Sequence, residues 1–175
     1  MEILDNIPFE LDIDTLLAKL HINRESEDAK DIQCLAKSTI PIARPKAIYE
    51  ACYIQYKNND RIVMKGVTFT SRILRVNLDK AERVFVYIAT CGRELDEIVI
   101  PPEDFIKRFW LDTIKDMALD TSIRYLNSHL KIKYALKKTS SMSPGAGSRD
   151  LWPIEQQKQL FSLLGNVEDL IGVKL

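Results

Sequence analysis

The sequence contains few of the residues that build metal centres and disulfide frameworks. Its 175 residues include three cysteines and two histidines. Cys34, Cys52 and Cys91 are widely spaced and form no C-x-x-C pair, and the two histidines lie far apart in the chain. This pattern suits reduced thiols and predicts neither a disulfide framework nor a zinc site.

Net charge and long apolar runs are also missing. Lysine plus arginine and aspartate plus glutamate both number 25, so no overall field draws the chain to nucleic acid or to an anionic membrane. The longest apolar runs, such as residues 84–89, are far too short to cross a bilayer, and Met1 is followed by acidic residues instead of a basic and then apolar leader. We therefore expect a cytoplasmic protein with no nucleic-acid or membrane partner.

What the sequence does contain is enough apolar material for a core. Hydrophobic residues make up 46% of the chain, and its length fits a single domain over residues 1–175, while leaving room for two lobes. Residues 1–45 predict a helical segment. One helix is expected from Asp12, its cap, to Leu20, with His21 closing it, and a second from residue 25 or 26 to just before Pro41.

The middle of the chain predicts a sheet followed by a long helix. Residues 46–57 and 61–64 favour a β-hairpin around the turn signal at 58–60. Apart from its first residue, Arg83, the segment 83–89 is apolar on both alternating faces, which predicts a central strand covered on two sides. The other expected elements are a short helix or irregular segment at 67–76, a short helix at 93–100, and one long helix, or two with a kink, at 103–137.

Residues 140–165 join a small-residue loop to a helix, and the chain is organised around them. Pro144 and Gly145 allow a sharp turn, and Pro153 suits the first helical position. A loop whose amides lead into a helix can hold an anion or a carboxylate, and it can equally be an ordinary turn with a well-made helix start. The features expected after it are a helix end at Gly165, a helical turn at 167–171 and a strand that begins at Gly172.

Cys91 is the sharpest candidate for catalysis that the residues alone provide. It lies between the strand at 83–89 and an expected helix start, where the helix dipole would lower the pKa of a thiol and make it nucleophilic. Neither histidine can be paired with it by sequence, and an inert small hydrophobe is the competing interpretation. Trp110 belongs to an apolar stripe and is expected in the core, whereas Trp152 could stack on a planar ligand.

Three segments of the chain are similar to one known family. They are Pro-x-Ala-Ile-Tyr at 45–49, Ile-Ala-Thr-Cys-Gly at 88–92, and the stretch from Ser143 to the end. That stretch contains Ser-Pro-Gly at 143–145, Trp-Pro-Ile at 152–154, Gln156 or Gln157, Leu-Phe-x-Leu-Leu at 160–164 and Ile-Gly-Val-x-Leu at 171–175. On these residues the chain resembles the activation domain of cobalamin-dependent methionine synthase, and most of all its free-standing relatives.

The resemblance implies an α+β fold, a single C-shaped domain with a central, mainly antiparallel, twisted sheet flanked by helices, and one long helix before the Ser-Pro-Gly loop. It also implies a cobalamin-binding methyltransferase or corrinoid protein as partner, with S-adenosylmethionine as cofactor and cobalamin held by the partner. The function would be support for the reductive remethylation of cobalamin in methionine biosynthesis. The residues that the resemblance assigns to cofactor binding are Thr90, Gly92, Ser143, Pro144, Gly145, Ala146, Arg149 and Trp152.

The chain departs from an arginine-x-x-x-glycine-tyrosine motif of the family. Its glycine is Gly145, but Ser141 and Ala146 stand at the positions of the arginine and the tyrosine. A guanidinium is the best partner for a ligand carboxylate, so its loss weakens the expected clamp, and Arg149 is the replacement that we consider. The family also continues past the segment at 171–175.

Three functions follow from these observations. The first is an accessory module of corrinoid-dependent methyl transfer, with or without S-adenosylmethionine binding. The second is a docking module that recognises a separate corrinoid protein by its surface alone. The third is an independent enzyme that uses Cys91.

Overall fold

A computed structural model of the chain describes residues 1–146 and 151–175. The fold is α+β, with helices and an antiparallel sheet, as the sequence predicts. The strands are β1 (Glu2–Leu4), β2 (Lys46–Asn58), β3 (Arg61–Met64), β4 (Val67–Thr70) and β5 (Arg83–Thr90). The α-helices are α1 (Ile13–Leu20), α2 (Glu27–Thr39), α3 (Arg72–Asn77), α4 (Phe105–Lys133), α5 (Gln157–Leu164) and α6 (Val167–Ile171), and 3₁₀ helices lie at Arg93–Glu97 and Ile154–Gln156.

The long strand β2 is the centre of the sheet. The strands follow the order β1-β2-β3-β4, and β5 also pairs with β2, which therefore has three partners among the described strands. β2 and β3 form the predicted antiparallel hairpin, with Asn58 opposite Arg61, and β4 pairs antiparallel with β3. The prediction for residues 83–89 is thus correct as to strand and wrong as to position, because β2 and not β5 takes the central place.

Residues 67–76 contain a strand that the sequence prediction missed. β4 pairs with β3 so that Phe69 lies opposite Ile62. Ser71 then ends the strand and begins α3, because its Oγ accepts a hydrogen bond from the Leu74 N–H at 3.1 Å. The apolar residues of this window share a helical spacing, whereas the strand depends on pairing with β3, which that spacing does not reveal.

The helices before and after the sheet begin and end largely where the sequence predicts. Asp12 caps α1 by accepting a hydrogen bond from the Thr15 N–H at 3.1 Å, and Ser26 caps α2 through the Ala29 N–H at 3.2 Å. His21 ends α1 in a left-handed conformation with a φ of 56°. α4 is one continuous helix, so the alternative of two helices is wrong. None of the helices in the described part of the chain has the length and apolar character that a membrane crossing requires.

Three smaller predictions are wrong. The helix expected at 93–100 is a shorter 3₁₀ helix that stops at Glu97. Pro153 has an extended ψ of 135° and precedes a 3₁₀ helix, so it is a cap and not the first helical residue. No strand forms at 172–175, where Gly172 ends α6 in a left-handed conformation.

The chain divides into two compact units. Unit 1 consists of Met1–Ile3, Ile48–Ile88 and Lys131–Leu175, and unit 2 of Leu4–Ala47 and Ala89–Leu130. In unit 1, β-strand residues such as Ile48 and Phe69 share a core with Trp152 and Leu164 from the C-terminal segment. In unit 2, one core cluster joins α1, α2 and α4 through residues that include Leu16, Ile32 and Ile114. The expectation of a single domain stays a prediction.

Candidate functional site

The residues that the resemblance assigns to cofactor binding fall in two places. Ser143, Pro144, Gly145, Ala146 and Trp152 belong to unit 1, and Thr90 and Gly92 belong to unit 2. Arg149 lies outside the described residues. The two groups are therefore described separately, beginning with the loop in unit 1.

Trp152 anchors the loop in the core of unit 1. Its side chain is only 5% exposed and meets the Phe69 ring edge to face, with 6.2 Å between ring centroids and 79° between ring planes. Buried aromatic pairs of this geometry contribute stability beyond the area they bury. Because Trp152 lies in the core, its ring is not available to stack on a planar ligand, and that interpretation of the residue is wrong.

Two amides of the loop are already engaged by the chain itself. The Gly145 N–H donates to the Trp152 carbonyl at 2.8 Å, and the Ala146 N–H donates to the Ser143 carbonyl at 3.2 Å. Gly145 has a φ of 81°, which L side chains rarely adopt, and an added Cβ would lie 3.1 Å from the Ile154 side chain. The glycine is thus explained by the turn, and neither of these amides is free to hold an anion.

Gln156 fastens the start of the C-terminal helices to the sheet. Its side-chain amide donates to the Thr70 carbonyl at 2.6 Å, and its Oε1 accepts from the Thr70 N–H at 3.0 Å. The primary amide thereby pairs with both backbone groups of one residue, as a neighbouring strand would. β4 is the last strand in the order β1-β2-β3-β4, so Gln156 satisfies backbone groups that would otherwise lie open at a sheet edge.

Ser71 supplies one more connection between the same two segments. Its hydroxyl donates to the Leu151 carbonyl at 2.6 Å while its oxygen caps α3. We call the whole arrangement the loop clamp: Phe69, Thr70 and Ser71 on the sheet side, with Gly145, Leu151, Trp152 and Gln156 on the loop side. The sequence pattern indicated residues of the loop side. It did not indicate Phe69, Thr70 and Ser71 on the sheet side, because β4 was not predicted. The pattern Thr-Phe-Thr-Ser, a short alternation before a helix cap, was the available signal.

Replacement of Gln156 by alanine tests the loop clamp. The variant loses both hydrogen bonds to Thr70, and we expect the free energy of unfolding to fall by about 1–2 kcal/mol. Gln157→Ala is the matched control, since Gln157 has no hydrogen bond from its side chain within the described residues, and its effect should stay within about 0.5 kcal/mol. Urea unfolding measures both values. Equal losses in the two variants would contradict the assignment.

Thr90 and Gly92 form a tight turn in unit 2. The Gly92 N–H donates to the Thr90 Oγ1 at 3.0 Å, and Gly92 has a φ of 97°. An added Cβ would lie 2.6 Å from the Arg44 carbonyl oxygen and 2.7 Å from Glu94 Oε2. The Ala-Thr-x-Gly pattern therefore has a structural cause, because only glycine permits this backbone approach.

A half-buried ion pair lies beside this turn. Lys46 Nζ is 3.2 Å from Glu94 Oε1, and the side chains are 23% and 29% exposed. Burial opposes the charge of the Glu94 carboxylate, but its own backbone N–H and the Lys46 ammonium keep the pKa of Glu94 below its ordinary value. The pair holds β2 to the segment after β5 and leaves the carboxylate ionised at neutral pH.

Replacement of Gly92 by alanine should be strongly destabilising. The positive φ and the overlap with a backbone oxygen both oppose the new Cβ, so we expect a loss of about 2–4 kcal/mol. Gly66→Ala is the control, because Gly66 also has a positive φ of 77° but would place its Cβ in open space, and its cost should be about 1 kcal/mol. Thermal unfolding compares them. A similar cost for both variants would show that the close approach to Arg44 is absent.

The thiol of Cys91 is not set up as a nucleophile. Burial raises the pKa of Cys91, and the nearby Lys115 offsets this only in part. The sulfur faces the Gly92 carbonyl at 3.8 Å, and the helix that follows is a single 3₁₀ segment of 5 residues. The α-helix whose dipole was expected to lower this pKa does not form after Cys91, and the shift has the direction opposite to the one predicted.

Alkylation rates check the state of Cys91. We expect iodoacetamide to modify the half-buried Cys91 at least about tenfold more slowly than the exposed Cys34 at neutral pH, because the thiolate is the reacting form. The rate at Cys91 should still rise above pH 9. Cys34→Ser and Cys91→Ser proteins identify the two sites by mass. If Cys91 is modified fast and its alkylation rate reaches a plateau below neutral pH, the hypothesis that Cys91 is a nucleophile is supported again.

Comparisons with known proteins add no family assignment. No model of a known protein family matches the chain, and no curated protein matches it either. The resemblance to the activation domain of methionine synthase therefore stays a prediction that depends on the three segments at 45–49, 88–92 and 143–175.

Proposed function

We propose that this protein is an accessory protein of cobalamin-dependent methyl transfer, which recognises a cobalamin-binding methyltransferase or corrinoid protein. The observation that carries the proposal is that residues of one signature segment form the loop side of the loop clamp. Pro144 is buried, Gly145 bonds to Trp152, and Gln156 bonds to Thr70. Gly145, Trp152 and Gln156 therefore belong both to the family resemblance and to the loop side of the clamp, and this overlap supports the proposal.

The loop clamp also separates architectural residues from residues that a partner can reach. Ser143, Gly145 and Ala146 are exposed and form the outer side of the loop, which we call the loop tip. Pro144 and Trp152 are buried and lie on its inner side. An exposed tip whose Gly145 and Ala146 amides are already bonded within the chain is a suitable recognition element, since fewer backbone groups must be ordered when it binds. We therefore assign partner recognition to this tip, and we expect the protein to act in the cytoplasm with that partner.

The described part of the loop lacks the groups that would hold the carboxylate of the cofactor that the family uses. The ligand carboxylate of S-adenosylmethionine needs a cation or free amides, but Ser141 and Ala146 carry no charge and the amides of Gly145 and Ala146 already donate to carbonyls. The described part of the loop therefore provides no clamp for that carboxylate. We accordingly propose recognition of a corrinoid protein without S-adenosylmethionine, with Arg149 outside the described residues.

Binding measurements with a purified corrinoid protein test the proposal. Co-elution with the cobalamin-loaded partner is expected, and titration of S-adenosylmethionine at millimolar concentration into the free protein should give no heat of binding. Absence of a complex with the loaded partner at micromolar concentrations would overturn the proposed function. Saturable heat from S-adenosylmethionine would instead overturn the docking-only form.

Two exposed substitutions locate the contact. Ala146→Asp places a charge on the loop tip and should weaken the complex by on the order of tenfold. Ser140→Asp places the same charge at an exposed position before the tip and should leave affinity unchanged. Both variants should keep the unfolding transition of the parent protein. Equal effects of the two charges on affinity would remove the loop tip as the recognition element.

A further inference from the structure

A cleft in unit 2 lies between α4 and the segment that precedes this helix. Its volume is about 430 Å³, and its walls come from residues 96–102 on one side and from α4 residues such as Leu111 on the other. Leu111 is only 6% exposed, and Ile98 packs against the core cluster that contains Leu95. Core packing therefore anchors a residue in each wall, and the volume lies within the range that small-molecule sites occupy.

Where α4 reaches Lys115, the cleft carries an ion pair that is complete within the chain. Lys115 Nζ is 2.7 Å from Asp96 Oδ1, and the Lys115 side chain is 24% exposed. The pair joins the two walls, because Asp96 belongs to the 3₁₀ helix at Arg93–Glu97 and Lys115 belongs to α4. Each of these charges neutralises the other, so neither is left for a ligand.

Arg108 and Asp112 line the same cleft but are not paired. They lie four residues apart on α4, a spacing at which an arginine and an aspartate can reach each other. Their charged atoms are nevertheless more than 4.0 Å apart, and the Asp112 carboxylate has no ion pair or hydrogen bond among the described residues. The Arg108 guanidinium has one hydrogen bond, to the Pro102 carbonyl at 3.3 Å. A cation and an anion are therefore open to a ligand side by side.

We infer that this cleft binds a free α-amino acid with an apolar side chain. The ligand carboxylate pairs with Arg108 and the ligand ammonium group with Asp112, while the side chain lies against apolar residues that include Ile98 and Leu111. The charges of the lining favour a zwitterion, because two cations and two carboxylates line the cleft. A phosphate or another simple anion would also face Asp96 and Asp112, which repel it.

This site is separate from the proposed function, which uses the loop tip in unit 1. S-adenosylmethionine is also an α-amino acid, but its sulfonium cation would lie on the apolar part of the cleft, so we still expect no heat of binding from it. The cleft is open and the ligand is small, so the expected dissociation constant is on the order of a millimolar.

Three related probes, titrated into the isotope-labelled full-length protein and followed by NMR, test the site. They are L-leucine, isocaproate, which lacks the ammonium group, and isoamylamine, which lacks the carboxylate. Arg108→Gln and Asp112→Asn should each weaken binding of L-leucine by at least about tenfold. Isoamylamine should bind Arg108→Gln at least as well as the parent protein, and isocaproate should bind Asp112→Asn at least as well, because each probe lacks the group that the substituted residue holds.

Arg124→Gln and Asp116→Asn are the matched controls, because both residues are exposed on α4 and neither lines the cleft. They should leave the affinity for L-leucine unchanged, and circular dichroism of every variant checks that the helix is intact. Absence of saturable shifts with L-leucine up to about 20 mM would overturn the site. Equal effects of a cleft variant and its control would overturn the roles of Arg108 and Asp112. Isocaproate or isoamylamine that binds as tightly as L-leucine would overturn the preference for a zwitterion.

Discussion

The two hydrogen bonds between the Gln156 side chain and the Thr70 backbone are the constraint on which the architecture of unit 1 depends. β4 contributes only 4 residues and stands at the end of the strand order, so its outer backbone groups lack strand partners. Gln156 provides partners for those of Thr70, and the same contact fixes where the C-terminal helices begin. Trp152 and Ser71 act at neighbouring points, so ring packing and hydrogen bonds stabilise one junction together.

This junction explains why glycine, proline, tryptophan and glutamine recur together in one short stretch of sequence. The Gly145 turn brings its amide to the Trp152 carbonyl, which requires a positive φ, and Trp152 in turn fills a space beside Phe69. The same composition is also typical of a ligand-binding loop, because sharp turns serve ligand binding as well as chain reversal, and free amides can hold an anion. In this chain the amides of Gly145 and Ala146 are engaged internally, and the segment is first of all a structural element.

Local signals predicted much of the fold. The cap at Asp12, the start of α2 next to Ser26, the turn at 58–60 and the long helix α4 were each predicted from neighbouring residues and were confirmed. The missed features depend on distant partners. β4 exists because β3 pairs with it, and β2 rather than β5 is central because it has the greater number of strand partners in the described sheet. The spacing of apolar residues within one segment does not reveal which strand that segment pairs with.

The candidate site shows the same division. Residue type indicated that the loop and the Thr-Cys-Gly turn were special, and the structure supplies a physical reason for Gly92 and Gly145. Burial was harder to predict: Trp152 lies in the core, and desolvation raises the pKa of Cys91, although the local sequence suggested an accessible ring and an activated thiol. Both depend on segments that approach from elsewhere in the chain.

Hydrogen exchange of the Thr70 amide tests the loop clamp most directly. If the Gln156 side chain holds this amide, its exchange in the parent protein should be slowed by at least about a hundredfold relative to an unfolded chain, and Gln156→Ala should remove most of that protection. An amide at Thr70 that exchanges at the unfolded rate in the parent protein would contradict the account.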